Sequence, residues 1–156
     1  NNKGYKGYII LTKQEKANTE SYVRIFDINK SKFVSNIKRQ YESLDILDIN
    51  NFNKLVAISI FNERTSVSEL QFINISNGVT VTNIKKDIMS GYFSSNGKRF
   101  VGSTYEGSTY VWDVKDSKLV YEILPGKNYV RDVGLNSDGT ILTISTHHSL
   151  EIFKIE

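Results

Sequence analysis

Short apolar runs, separated by polar turn-forming residues, recur along the whole chain. The runs are rich in Ile, Val, Thr, Tyr and Phe, residue types that suit a pleated, half-buried strand. Between them lie clusters of Asn, Asp, Gly and Ser that include Asn96-Gly97 and Asp138-Gly139. These dipeptides favour tight hairpins because both central residues can adopt a positive φ. The pattern therefore predicts an all-β chain of antiparallel hairpins.

One of these runs returns four times, at residues 22–28, 69–75, 109–114 and 150–155. Its aromatic anchors are Phe26, Phe72, Trp112 and Phe153, so the intervals are 46, 40 and 41 residues. A period of about 40–45 residues that holds four short strands is typical of propeller blades. Each blade is a small sheet that buries its faces only against its neighbours.

The repeats resemble those of the WD40-repeat family, and the best match is the blade at about residues 84–124. Residues 92–98 (YFSSNGK) are similar to the family's F-S-P-D-G-K turn, and residues 106–113 (EGSTYVWD) to its D-G-T-V-R-L-W-D strand. The resemblance covers nearly the whole chain. It implies a WD40-type β-propeller, a fold that typically serves as a docking platform in larger assemblies.

The chain also departs from the family pattern. Only one anchor is Trp, and the Gly-His that precedes the first strand of a typical blade is missing. The inter-strand Asp of the family is replaced by Glu20, Ser66, Glu106 and His147. The Asp–His–Ser/Thr–Trp hydrogen-bond network is therefore expected to be incomplete, and packing is expected to hold the blades together.

Counting strands from the axis to the rim predicts a single segment over residues 1–156 with about 3.5 blades of four-stranded antiparallel sheets. The blades are residues 5–37, which lack the innermost strand, 43–84, 87–124, and 128–156, which lack the outermost strand. Because the only Met is Met89, the chain is expected to be a processed product or a piece of something longer. We expect the C-terminal half of a roughly seven-bladed propeller, completed by further residues, a separate chain or a second copy.

Composition excludes several classes of protein. The 156 residues carry a formal net charge of +3 and no Cys, so disulfide scaffolds, thiolate metal sites and Cys nucleophiles are ruled out. No apolar run reaches about 18 residues, and the first residues lack the apolar stretch of a leader. These features favour an intracellular, cytoplasmic protein without a membrane partner. Nucleic acid is not expected as a partner, because most aromatic residues lie inside strand patterns rather than on one basic face.

The sequence offers little material for catalysis. His147 and His148 are the only His residues, and a metal site needs three or four convergent ligands, so a surface turn is the better interpretation. Neither a Gly-x-Ser-x-Gly elbow nor a phosphate-binding Gly-rich loop occurs. We therefore expect no catalytic residue, no metal and no cofactor, and the chain is predicted not to be an enzyme.

Basic residues recur where the rim strand of one blade leads to the inner strand of the next, and these connections share one propeller face with the turns between the second and third strands. The predicted partner-binding residues are Lys38, Arg39, Arg64, Lys85, Lys86, Glu106, Lys127 and Arg131. Positive charge there could attract an acidic or phosphorylated protein. Ordinary solvated loops are the alternative, because acidic residues on the same face partly cancel the field. The favoured function is a non-catalytic WD40-repeat scaffold for protein–protein interaction.

The alternative function is part of a propeller enzyme or small-ligand sensor with a site in the central channel. The inner strands would then line that site. Their candidate residues are Asp45, Asp48, Ser90, Arg131 and Asp132.

Overall fold

The computed structural model describes residues 8–15, 20–40, 42–124 and 130–155. These residues form β-strands joined by turns and contain no helix, so none of them builds a helical membrane span. The strands are β1 (Tyr8–Glu15), β2 (Glu20–Asp27), β3 (Lys32–Gln40), β4 (Glu42–Asn50), β5 (Leu55–Asn62), β6 (Val67–Asn74), β7 (Thr80–Ile84), β8 (Ser90–Phe93), β9 (Arg99–Ser103), β10 (Thr109–Asp113), β11 (Leu119–Ile123), β12 (Val130–Leu135), β13 (Ile141–Thr146) and β14 (Leu150–Lys154).

The strands form four antiparallel sheets in chain order. Within the described residues, the first sheet is β1-β2-β3, the second β4-β5-β6-β7, the third β8-β9-β10-β11 and the fourth β12-β13-β14. The innermost strands lie side by side, because β4 contacts β8 and β8 contacts β12. The predicted all-β class with four-stranded antiparallel blades is confirmed, and the arrangement is that of a partial β-propeller.

In each of the first three sheets, an Asp or Asn residue ends the strand that precedes the rim strand; these strands are β2, β6 and β10. Asp27, Asn74 and Asp113 accept backbone N–H groups of the following turn, at 3.2, 2.8 and 2.9 Å. Such local bonds stabilise turns in place of the strand ladder. The fourth residue after each of them has a positive φ, and these residues are Ser31, Gly78 and Ser117. The three turns are therefore equivalent, and they fix which positions of the sheets correspond.

This correspondence corrects one predicted anchor. Trp112 directly precedes Asp113, so its counterpart in the second sheet is Ile73, which directly precedes Asn74. Phe72 lies one residue earlier, and successive residues of a strand face opposite sides of the sheet. Phe72 accordingly packs towards the third sheet, whereas Ile73 packs towards the first. Phe26 and Phe153 keep the predicted position.

Three buried clusters fill the spaces between consecutive sheets. The first contains Val23 and Ile25 with Val56 and Ile58, and the third contains Val101 and Val111 with Leu142 and Ile144. In the second cluster, the ring centroids of Phe72, Phe93 and Phe100 lie 4.9–5.3 Å apart, a separation typical of favourable edge-to-face contacts. Neighbouring residues of a central strand thus serve different interfaces, as the faces of stacked blades require.

Asparagine side chains add polar links between neighbouring sheets. The side-chain amide of Asn50 donates to the carbonyl of Ser94 at 3.1 Å, and that of Asn53 to the carbonyl of Gly97 at 2.6 Å. Asn96 repeats the link to the fourth sheet by donating to the carbonyl of Asp138 at 3.0 Å. The sequence predicts that packing holds the blades together. Side-chain-to-backbone hydrogen bonds between consecutive turns add to that packing.

Candidate functional site

The connections between strands lie at two opposite edges of the sheets. The turns 28–31, 51–54, 75–79, 94–98, 114–118 and 136–140 form one edge, which we call the turn face. The described connections 63–66, 85–89, 104–108 and 147–149 form the other, which we call the loop face. The loop face is the surface on which the sequence predicted a partner.

Four of the predicted partner-binding residues lie in loop-face connections. Arg64 is in 63–66, Lys85 and Lys86 are in 85–89, and Glu106 is in 104–108. Their placement follows from the strand ends, because β5, β7 and β9 all end at this face.

The other four are placed differently. Lys38 and Arg39 lie inside β3, opposite Tyr22 and Ser21, because β3 continues to Gln40 instead of ending at residue 37 as predicted. Arg131 lies in β12, where the pairing with β13 skips one residue between Val130 and Asp132 and so forms a β-bulge. Lys127 lies outside the described residues.

A hollow of about 520 Å³ opens on the loop face of the third sheet. It is lined by Asp87, Met89, Thr104, Tyr105, Glu106, Ser108 and Tyr110. Of the predicted partner-binding residues, Glu106 lines the hollow, and Lys86 reaches it from the connection between the second and third sheets. The Nζ atom of Lys86 lies 4.2 Å from the centroid of the Tyr110 ring, a cation–π distance.

The hollow is therefore mixed in charge rather than basic. Asp87 and Glu106 are both exposed, and their carboxylates offset the ammonium group of Lys86. Sequence reasoning missed Asp87, Met89 and Tyr110. The strand pattern predicts only that Tyr110 is a core residue. No local motif indicates that Lys86, in the connection between the second and third sheets, contacts the ring of Tyr110.

The predicted channel residues are tied to the inner strands. The carboxylate of Asp48 accepts the N–H groups of Phe93 and Ile49, each at 2.7 Å, and so links the second sheet to the third. Burial raises the pKa of Asp48, although these two hydrogen bonds act in the opposite direction. Asp45 is exposed on β4.

Ser90 and Asp132 also make structural contacts. The hydroxyl of Ser90 is 2.8 Å from that of Ser103 in the neighbouring strand, and Asp132 accepts the N–H of Val133 at 2.9 Å. The negative charge of Asp132, followed by burial, raises the pKa of Tyr92 above its usual 10.0. Asp132 and Tyr92 thus connect the fourth sheet to the third, and the charge of Asp48 on the second sheet also acts on Tyr92.

The two His residues lie in the exposed turn 147–149 between β13 and β14, with ring centroids 6.3 Å apart. Across the residues that the structure describes, no three His, Cys, Asp or Glu side chains are placed to hold a metal ion.

Solved propeller structures share this architecture. The complex of KlAtg21 with the coiled-coil of AgAtg16 has a TM-score of 0.72 at 14% sequence identity, over 97% of this chain and 50% of that chain. The Dos1 propeller has a TM-score of 0.71 at 15% identity, over 96% of this chain and 40% of that chain. The chain thus spans half or less of the length of these neighbours, and the likeness shows the β-propeller fold. No family model matches the sequence, and no curated protein matches it.

Proposed function

We propose that this chain is a WD40-repeat propeller segment that acts as a non-catalytic scaffold for protein–protein interaction within a larger assembly. In the solved complex, the propeller of KlAtg21 is bound to the coiled-coil of AgAtg16. By analogy, we propose a protein partner for this chain. The pattern of exposed and buried equivalents in the four sheets carries the proposal.

The outer face of the fourth sheet exposes side chains at positions that are buried in every other sheet. Leu150 is 67% exposed and Ile152 is 68% exposed. The counterparts of Leu150 are Val23, Leu70 and Thr109, and those of Ile152 are Ile25, Phe72 and Val111, all of them at most 1% exposed. Each of these residues is covered by the following sheet, so the fourth sheet presents the same surface without a cover.

The first sheet shows the complementary pattern on its outer face. Ile28 is 48% exposed, whereas its counterparts Ile75, Val114 and Ile155 are buried against the preceding sheet. Exposed apolar patches of this kind mark surfaces that associate with other protein surfaces. The remaining half of the propeller, from further residues, a separate chain or a second copy, is the proposed cover for both faces.

The loop face is the proposed site for a further protein partner in the cytoplasm. Lys85 and Lys86 supply positive charge near the hollow for an acidic or phosphorylated protein, and Arg64 supplies it in the loop-face connection 63–66. Lys38, Arg39, Lys127 and Arg131 keep that role as a prediction. Because Asp87 and Glu106 lie at the hollow itself, the partner is expected to place its acidic group at Lys85, which is exposed and does not line the hollow, rather than inside it.

Quantitative affinity capture tests this assignment. The immobilised chain is compared with the Lys85→Glu/Lys86→Glu variant, and Lys32→Glu is the control, because Lys32 is exposed at the start of β3 on the turn face. The loop-face variant is expected to lose the proteins that the chain and the control both retain. Equal recovery by all three would contradict the loop-face assignment, and steady turnover of a small molecule by the purified chain would contradict the non-catalytic role.

A further inference from the structure

A second opening lies on the turn face, between the second and third sheets. It is a cleft of about 500 Å³ that shares no lining residue with the loop-face hollow. Its apolar walls come from Phe52 in the turn 51–54, Leu55, Val81 in the rim strand β7 and Val114. Lys98 and Lys115 lie on the opposite turns of the third sheet and also line the cleft.

The exposure of Val81 sets this cleft apart from the neighbouring interfaces. In the first three sheets the pairing between the rim strand and the strand before it skips one residue, and the skipped residues are Val34, Val81 and Val120. Val34 and Val120 pack against the buried clusters of their interfaces. Val81 is instead 55% exposed, so the equivalent space between the second and third sheets is left open.

The turn that borders the cleft adds a second apolar group. Phe52 is 76% exposed, although a Phe side chain gains about 1.5–3 kcal/mol from full burial. Asn50 and Asn53 bond this turn to the third sheet through the carbonyls of Ser94 and Gly97. The turn that carries Phe52 at the cleft is therefore held by hydrogen bonds on both sides of Phe52 in sequence.

The charges around the cleft are positive. The one carboxylate in the lining is Asp113, whose oxygens accept from Arg99 Nη1 at 2.8 Å and from the N–H of Lys115 at 2.9 Å. Within the described part of the chain, the ammonium groups of Lys98 and Lys115 have no ion-pair partner. The nearby Asp116 caps the backbone N–H of Lys118 at 3.0 Å.

We propose that this cleft binds a short acidic segment of a partner protein. One bulky apolar side chain of the segment packs between Phe52 and Val81, and its flanking carboxylates pair with Lys98 and Lys115. The charge complementarity selects an acidic segment over a basic one, and the apolar walls require the anchor side chain. This site is separate from the proposed loop-face partner and does not depend on it.

A random peptide library displayed on phage provides the probe. The library is panned against the chain, and enriched sequences are then made as fluorescent peptides for anisotropy titrations. The variants are Lys98→Glu/Lys115→Glu and Phe52→Ser, which alter exposed side chains, and Lys32→Glu, outside the cleft lining, is the control. We expect peptides with one Leu, Phe or Trp between Asp or Glu residues, and a loss of affinity of about tenfold or more in both cleft variants.

Four results would overturn the proposal. These are the absence of enrichment, enrichment of basic peptides, unchanged affinity in the cleft variants, and equal affinity for a peptide in which Gln replaces the acidic residues. Concentration-dependent dimerisation that Phe52→Ser abolishes would instead identify a second copy as the occupant. Equal protein recovery by the chain and its loop-face variant, together with intact peptide binding, would contradict the scaffold assignment of the loop face and leave the cleft proposal unaffected.

Discussion

Replacing the two exposed apolar residues of the fourth sheet separates the role of a covered face from that of a folded core. The double variant Leu150→Ser/Ile152→Ser alters side chains that are 67% and 68% exposed. The folding of the chain itself should change little, because substitutions at exposed positions usually shift the free energy of unfolding by about 0.5 kcal/mol or less. Association through this face should weaken strongly.

The size of the association effect follows from the exposed fractions. Burial of a whole Leu or Ile side chain contributes about 1.5–3 kcal/mol. About two-thirds of that burial remains available at each residue, so covering both contributes about 2–4 kcal/mol, which is about a thirtyfold to a thousandfold change in the association constant. Val111→Ser, at the buried counterpart of Ile152, is the control and should cost at least about 2 kcal/mol of unfolding free energy.

Sedimentation velocity over a range of concentrations measures the association, and urea unfolding at low concentration measures the stability. The chain is expected to self-associate or to bind a separately added remaining half of the propeller. The double variant is expected to remain monomeric with a nearly unchanged free energy of unfolding. Two findings would refute the reasoning: undiminished association of the double variant, or a loss of stability as large as that of Val111→Ser.

Three further predictions concern stability. Asn53→Ala should lower the free energy of unfolding by about 1 kcal/mol in urea titrations, since it removes the 2.6 Å bond to Gly97; the exposed control Asn83→Ala should have little effect, and equal losses would argue against the turn link. Thr109→Val should raise the melting temperature, because within the described residues the Thr109 hydroxyl is buried without a hydrogen-bond partner and such a group costs about 1 kcal/mol or more; a lower melting temperature would show that a partner is present. The folded chain holds a proton on Asp48 more readily than the unfolded chain does, since burial raises its pKa above 3.8, so this group's contribution to stability is largest at low pH and is lost as pH rises through the folded pKa. Asp48→Asn should remove that pH-dependent part of the unfolding free energy, and an unchanged slope would contradict the assignment.

The strands were predictable because their ends are chemically marked. Asp27, Asn74 and Asp113 end β2, β6 and β10, and the intervening apolar runs match the strand lengths. Phe72 was the wrong anchor because the turn-forming Asx residue, and not the aromatic side chain, defines the register of these strands. Had the equivalence been set on Asn74, Ile73 would have been the anchor.

The surfaces were less predictable, because they depend on exposure and on contacts between sheets. Lys86 and Glu106 could be assigned to one face from the strand order, but the contact of Lys86 with Tyr110 could not. The cleft depends on Val81 being exposed where Val34 and Val120 are packed, and these three residues are identical in type. Pattern alone cannot distinguish a filled space from an open one.

The two faces of each central strand pack against two different neighbouring sheets, and this restricts where residues can be inserted or deleted. Val111 packs towards the fourth sheet and its neighbour Trp112 towards the second, so one inserted residue in β10 would reverse both contacts at once. The closing residues Asp27, Asn74 and Asp113 are 47 and 39 residues apart, yet the four residues before each keep the same sidedness. Insertions and deletions among the repeats are therefore expected to be confined to the turns and loops. There they can change the surface without altering which strand residues face each neighbouring sheet.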